Sequence, residues 1–210
     1  MNNKLVFYIG LIGVVVFAST CIIGGLLIEN YSITSQYISE TFAIDAEYGM
    51  QLRIFGHIPS GLLFALYGFF AYNFFASSKL IKMGFIGLGI FYGIGTIVVA
   101  IFPCDSGCNS EFINPSISQV IHNLMALLVY IFVPLSIIAT GIGLRKFEQF
   151  KSLSSIALAL GILSAAFVYI LITNPNSEFK GLYQRVIESL ILIWILVSAF
   201  KIRTSKFAKN

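Results

Sequence analysis

The sequence has few charged residues. Only 10% of its 210 residues are Asp, Glu, Lys or Arg, whereas an average soluble domain has about 25%. A soluble fold of this length needs more wettable surface, so the composition excludes an ordinary soluble domain. The net charge is +4, but the basic residues fall in short loops and at the termini. That placement is typical of membrane topology, and we predict no nucleic-acid partner.

The sequence also lacks the common catalytic motifs. It has two histidines and three cysteines, no HExxH motif, no phosphate-binding glycine loop and no recognisable Ser/His/Asp set. These absences disfavour metalloprotease and nucleotide-binding functions. With so few ligands, and with two arginines expected near the histidines to repel a cation, we predict neither a metal nor another cofactor. The sequence alone leaves open whether the protein is an enzyme.

What the sequence does contain is long apolar runs, since 58% of its residues are hydrophobic. A helix needs about 20 apolar residues to cross a bilayer, and six runs qualify. The first run is longer than the roughly 7–15 residues of a signal-peptide core, so we expect it to be retained as a span. We predict an all-α polytopic membrane protein, a single six-transmembrane-helix bundle over 1–210, with spans at about 5–28, 50–74, 83–102, 118–143, 153–173 and 182–201.

The basic residues predict the orientation of these spans. One side would carry three of them: Arg53, Lys180 and Arg185. The other side would carry ten: Lys4, Lys79, Lys82, Arg145, Lys146, Lys151, Lys201, Arg203, Lys206 and Lys209. Because basic loops stay in the cytoplasm, we predict cytoplasmic N- and C-termini and a location in the bacterial cytoplasmic (inner) membrane.

The third span is rich in glycine, and Gly89 and Gly93 form a small-xxx-small pair. In a membrane helix this spacing lets two helix backbones approach closely. We interpret the pair as a packing device and not as a nucleotide-binding loop.

Several ionisable residues fall at a similar depth in the predicted outer leaflet. Arg53 and His57 are four residues apart and share a helix face, as do Arg185 and Glu188, which are three apart. Each residue also has a simpler interpretation, such as a local ion pair, an arginine reaching the head groups, or a neutral histidine bonded to a carbonyl. Because intramembrane charges are costly and seldom face lipid, we predict that one outer pocket unites Arg53, His57, Asp105, His122, Arg185 and Glu188.

Such a pocket would favour an anionic guest. Its two arginines, Arg53 and Arg185, and three helix N-termini would supply positive charge for a phosphate or carboxylate. We therefore predict binding or modification of a membrane lipid head group. The arginines would bind the ligand, and the candidate catalytic residues are His57, His122, Glu188 and Asp105. The alternatives are a transporter or carrier, and a non-catalytic membrane subunit with unknown protein partners.

Two cysteines, Cys104 and Cys108, frame a short outer loop that contains Gly107. The outer face of a membrane is oxidising, which permits a disulfide. We predict that this pair is bonded, and the alternative is a pair of free thiols. Cys21 lies in an apolar run, where a small buried side chain is expected.

Four stretches also carry a family resemblance. They are 35–40 (SQYISE), 102–108 (FPCDSGC), His122, and 181–185 (GLYQR). The chain resembles the prokaryotic membrane family catalogued as domain of unknown function 998. The resemblance implies a six-helix integral membrane protein and supplies no activity. More distantly, the chain is similar to the eukaryotic Frag1/DRAM/Sfk1 membrane proteins, which share six spans and a Ser-rich first outer loop.

Overall fold

The computed structural model describes residues 2–109 and 111–204, and all regular secondary structure within them is helical. Five helices are long and apolar enough to cross a membrane, so the chain is a multi-pass membrane protein. In chain order these five are α1 (Asn3–Leu27), α2 (Gly49–Phe74), α3 (Lys79–Ile101), α4 (Ile117–Leu144) and α5 (Glu148–Thr173).

The sixth predicted span also forms a helix, α6 (Lys180–Arg203). Its 24 residues extend about 36 Å at 1.5 Å per residue, which is enough to cross a hydrocarbon core of about 30 Å. It carries five charged residues and is not among the five candidate spans of the described chain. The count of six spans therefore stays a prediction.

The six helices form a closed ring. Each packs against the next in sequence, and α6 returns to pack against α1. The interior is filled by large, fully buried side chains such as Tyr67, Phe85 and Trp194. The exterior is apolar as well, because Leu26, Phe55, Ile117 and many similar side chains are exposed. An apolar exterior is what a lipid environment requires.

Glycines bring α2 and α3 into backbone contact. A Cβ added at Gly68 would lie 2.6 Å from the Phe85 carbonyl oxygen and against the backbone of Gly89. A Cβ at Gly93 would overlap Ala65 in the same way. The predicted Gly89 and Gly93 pair thus lies where the two helices meet.

Both of these helices contain a widened, π-helical turn. In α2 this turn is Arg53–His57, and in α3 it is Leu88–Ile94. A π-turn rotates the side chains that follow it relative to a regular helix, and such turns occur often at functional sites. The turn in α2 ends at His57, which points into the bundle.

Hydrogen bonds join the loops at one end of the ring, which we call the disulfide end. It consists of the connections 28–48, 102–116 and 174–179. Ile44 N donates to Cys104 O (2.9 Å), and Leu182 N, in the first turn of α6, donates to Thr34 O (3.0 Å). At the opposite end, which we call the lysine end, Asn3 donates to Arg203 O (3.1 Å). Lys206 and Lys209, which contributed to the predicted orientation, lie outside the described residues.

Candidate functional site

A small cavity lies inside the ring near the disulfide end. Its volume is about 60 Å³, several times the roughly 10–15 Å³ that one water molecule needs. We call it the chamber. Its polar lining comes from the loop 28–48 and from four helices, α2, α3, α4 and α6, and consists of Ser39, His57, Tyr92, Thr96, His122, Tyr130, Gln184 and Glu188.

Glu188 is the buried carboxyl group of the chamber. It accepts hydrogen bonds from the hydroxyls of Tyr92 (2.8 Å) and Tyr130 (3.1 Å). Gln184 extends this network, because its amide nitrogen donates to the Tyr130 hydroxyl (2.8 Å) and its amide oxygen accepts from Ile38 N (2.6 Å). Two tyrosines from other helices therefore each donate to one oxygen of the carboxyl group. Neither Arg185 nor Arg53 forms an ion pair with it among the described residues.

His122 reaches the chamber from the second turn of α4. Its Nδ1 lies 2.9 Å from Phe102 O and 3.2 Å from Val99 O. A carbonyl oxygen only accepts, so Nδ1 must carry the proton. In the neutral ring Nε2 is then left as a hydrogen-bond acceptor.

His57 is the other histidine of the chamber and is 2% exposed. Its ring packs between Phe17, with ring centroids 5.5 Å apart, and Phe42, at 4.3 Å. The Phe42 ring also contacts that of His122, at 6.2 Å, so one phenyl ring touches both histidines. Within the described chain, the buried Nε2 of His57 has no hydrogen-bond partner. Such a buried, unpaired polar atom calls for an explanation.

Arg185 lies outside the chamber, which corrects the predicted six-residue pocket. Its Nη1 donates to the carbonyl oxygens of Ile33 (2.8 Å), Gln36 (2.9 Å) and Gly181 (3.0 Å), and its Nη2 donates to the Tyr31 hydroxyl. Burial raises the pKa of Tyr31, although the hydrogen bond from Arg185 acts in the opposite direction. Arg185 therefore fastens the loop 28–48 to α6 and does not line the chamber.

Arg53 and Asp105 do not line the chamber either. Arg53 is half-buried, and its Nε donates to Gly49 O of its own helix (3.2 Å). Asp105 lies in the α3–α4 connection and accepts from the Ser116 hydroxyl and from Ser116 N (3.0 Å). These hydrogen bonds hold the pKa of Asp105 below its usual value. Of the six predicted residues, the chamber thus unites His57, His122 and Glu188 only.

A disulfide closes the loop beside the chamber. Cys104 and Cys108 are bonded, with their Cα atoms 4.8 Å apart, and Gly107 between them has a φ of 57° that suits glycine. Among the described residues, only these two cysteines and His122 bring three potential metal ligands together, within 4.8 Å. The disulfide occupies both sulfur atoms, and a metal ligand would have to be a thiolate.

A second, larger cavity is a groove between α1 and α6. Its volume is about 510 Å³, within the roughly 300–1,000 Å³ of small-molecule sites. It is bounded by Phe17, Ala18, Cys21, Ile22, Gly25 and Leu26 of α1, by Arg185, Glu188, Ser189 and Leu192 of α6, and by Tyr31, Ile33 and Ile38 of the loop. Ile22 and Leu26 are 65% and 80% exposed, so the groove opens on the outer surface of the ring.

The groove and the chamber adjoin. Phe17, Ile38 and Glu188 line both of them. The sequence did not predict the groove, nor the roles of Tyr92, Tyr130 and Gln184. A polar signal was present, because a tyrosine or glutamine inside an apolar helix needs a hydrogen-bond partner, but the identity of that partner depends on how the helices pack.

These features define a multi-pass helical membrane protein with a buried polar chamber next to an apolar surface groove. The chain belongs to the family described as Protein of unknown function (DUF998), which it matches over residues 11–201. The resemblance inferred from the sequence is thereby confirmed. Neither a curated protein nor a solved structure matches the chain. The more distant resemblance to the Frag1/DRAM/Sfk1 proteins stays a prediction.

Proposed function

We propose that the protein binds a membrane lipid, with one chain of the lipid in the groove between α1 and α6 and its polar end at Glu188. All six helices would span the bilayer, with both termini in the cytoplasm, because the basic residues concentrate at the lysine end. The disulfide end and the groove would then belong to the outer leaflet of the bacterial inner membrane.

The observation that carries this proposal is the contact between the groove and the chamber at Glu188. The groove opens between two lipid-facing helices, so the molecules that can enter it come from the membrane. Lipid tails are as apolar as the groove wall, and burial of a chain therefore gives little net stabilisation inside a bilayer. Affinity has to come from the polar end, where the groove is bordered by the carboxyl group of Glu188, by Arg185, whose guanidinium also binds the loop 28–48, and by the exposed Ser189.

Blocking the groove is expected to remove the lipid. Ser189→Trp places a large side chain in the groove from an exposed position, without changing a buried residue. We expect native mass spectrometry of gently extracted protein to detect one bound lipid in the wild type. In Ser189→Trp the ratio of lipid-bound to lipid-free protein should fall at least about tenfold, the change that a loss of about 1.4 kcal/mol produces.

The matched control is Leu127→Trp. Leu127 is 44% exposed on α4 and does not line the groove. This variant should retain lipid as the wild type does. Equal loss from both variants, or a wild type that carries no lipid, would contradict the proposed function.

A further inference from the structure

We propose that the chamber recognises a hydrogen-bond-donating group of the bound lipid, an ammonium or a hydroxyl, and selects against anionic head groups. The inference rests on the proposed lipid binding and specifies its ligand. It replaces the anionic guest that the sequence suggested, because neither Arg185 nor Arg53 lines the chamber.

The chamber presents hydrogen-bond acceptors. Each oxygen of Glu188 accepts one tyrosine hydroxyl, and a carboxylate has about four lone-pair sites, so about half of them remain free. His122 contributes Nε2 as an acceptor, since its Nδ1 proton is engaged by the carbonyls of Val99 and Phe102. The buried Nε2 of His57 has no hydrogen-bond partner among the described residues, and it is an acceptor in the tautomer that carries the proton on Nδ1. A donor group placed among these atoms would satisfy polar atoms that the protein leaves unpaired.

None of the described residues that line the chamber is an arginine or a lysine that would hold an anion. The side chain of Arg185 is committed to the loop 28–48, and Arg53 bonds its own helix. Lys151 with Glu148 is the only ion pair among the described residues, and it lies at the lysine end. Inside the chamber a phosphate would therefore meet the carboxyl group of Glu188 without a cationic partner among the described residues, whereas an ammonium could donate hydrogen bonds to that group. Arg185 borders only the groove.

The small size of the chamber also disfavours an anionic phosphate group as its guest. A volume of about 60 Å³ admits a small terminal group but not a phosphodiester with its substituents. The group would enter from the groove past Glu188, which lines both cavities. Two lipid types supply the required chemistry: phosphatidylethanolamine through its ammonium and diacylglycerol through its hydroxyl.

A competition among lipids tests this inference. Purified, delipidated protein is offered equal amounts of phosphatidylethanolamine, diacylglycerol and phosphatidylglycerol with identical acyl chains, and the retained lipid is counted by native mass spectrometry. Phosphatidylglycerol also carries hydroxyls, but on an anionic head group. We expect the protein to retain phosphatidylethanolamine or diacylglycerol in an amount about tenfold or more above that of phosphatidylglycerol. This factor is typical of a charge-assisted hydrogen bond.

Glu188→Gln sharpens the test, because it keeps the size of the side chain and removes its charge. The preference over phosphatidylglycerol should fall by about tenfold if the guest is an ammonium and by less if it is a hydroxyl. Ser189→Trp should instead reduce retention of all three lipids. If Glu188→Gln does not fold, the wild-type preference decides the matter alone.

The outcomes separate the two proposals. If phosphatidylethanolamine is the lipid retained most, the group bound in the chamber is an ammonium. If diacylglycerol is retained most, the group is a hydroxyl. Retention of phosphatidylglycerol at an equal or higher level overturns the inference about the chamber and leaves lipid binding in the groove standing. Retention of no lipid by the wild type overturns both.

Discussion

Replacing Arg185 with alanine is expected to lower the free energy of unfolding by about 3 kcal/mol, since hydrogen bonds to charged groups contribute about 1.5–3 kcal/mol each. The guanidinium joins the carbonyl oxygens of Ile33 and Gln36 and the Tyr31 hydroxyl to α6. Its removal leaves these acceptors without their donor and weakens the attachment to α6 of the loop that lines the chamber. Arg185→Lys keeps the charge but loses the planar fork of donors, and should recover only part of the loss.

The matched control for Arg185→Ala is Arg53→Ala. Arg53 donates one hydrogen bond within its own helix, so its loss should cost less than about 1 kcal/mol. Thermal unfolding in detergent can be followed through Trp194, the single tryptophan of the chain, which is 1% exposed. Similar melting temperatures for the two variants would contradict the anchoring role of Arg185.

A second large effect is expected at the contact of α2 with α3. Gly68→Ala would place a Cβ 2.6 Å from the Phe85 carbonyl oxygen and against the Gly89 backbone. Backbone atoms cannot move aside as a flexible side chain can, so the helices must separate. Overpacking of this kind costs about 1–3 kcal/mol, and we expect the upper part of that range.

The control for Gly68→Ala is Phe70→Leu. Phe70 lies on the same helix but is 37% exposed, so a lipid tail can replace its contacts. The same tryptophan melt should show a clear decrease for Gly68→Ala and little change for Phe70→Leu. A Gly68→Ala variant as stable as the wild type would contradict the close approach of the two helices.

Much of the helical architecture could be predicted from the sequence, because apolar runs of bilayer length are a local signal. The predicted span 5–28 corresponds to Asn3–Leu27, and 118–143 corresponds to Ile117–Leu144. The spacing of Gly89 and Gly93 likewise predicts a close helix contact, although it does not identify α2 as the partner helix. Both signals depend on composition and spacing within one segment.

Only three of the six residues predicted to share a pocket line the chamber, because the prediction depended on where side chains point. Arg185 and Glu188 are three residues apart, which places them on neighbouring parts of one helix face. The long arginine side chain turns toward the loop, while the glutamate turns inward to Tyr92 and Tyr130. The carbonyls that bind Arg185 belong to the irregular loop 28–48, whose path no periodicity predicts. The groove was missed for the related reason that it exists only between two helices.

The central claim is that a lipid chain lies between α1 and α6, and photo-crosslinking in membranes tests it most directly. A lipid with a photoreactive diazirine in its acyl chain is incorporated, irradiated and mapped by peptide mass spectrometry. We predict cross-links concentrated on residues 18–26 and 189–192 that disappear in Ser189→Trp and persist in Leu127→Trp. Cross-links spread evenly over the lipid-facing sides of α4 and α5, and unchanged by Ser189→Trp, would contradict the account.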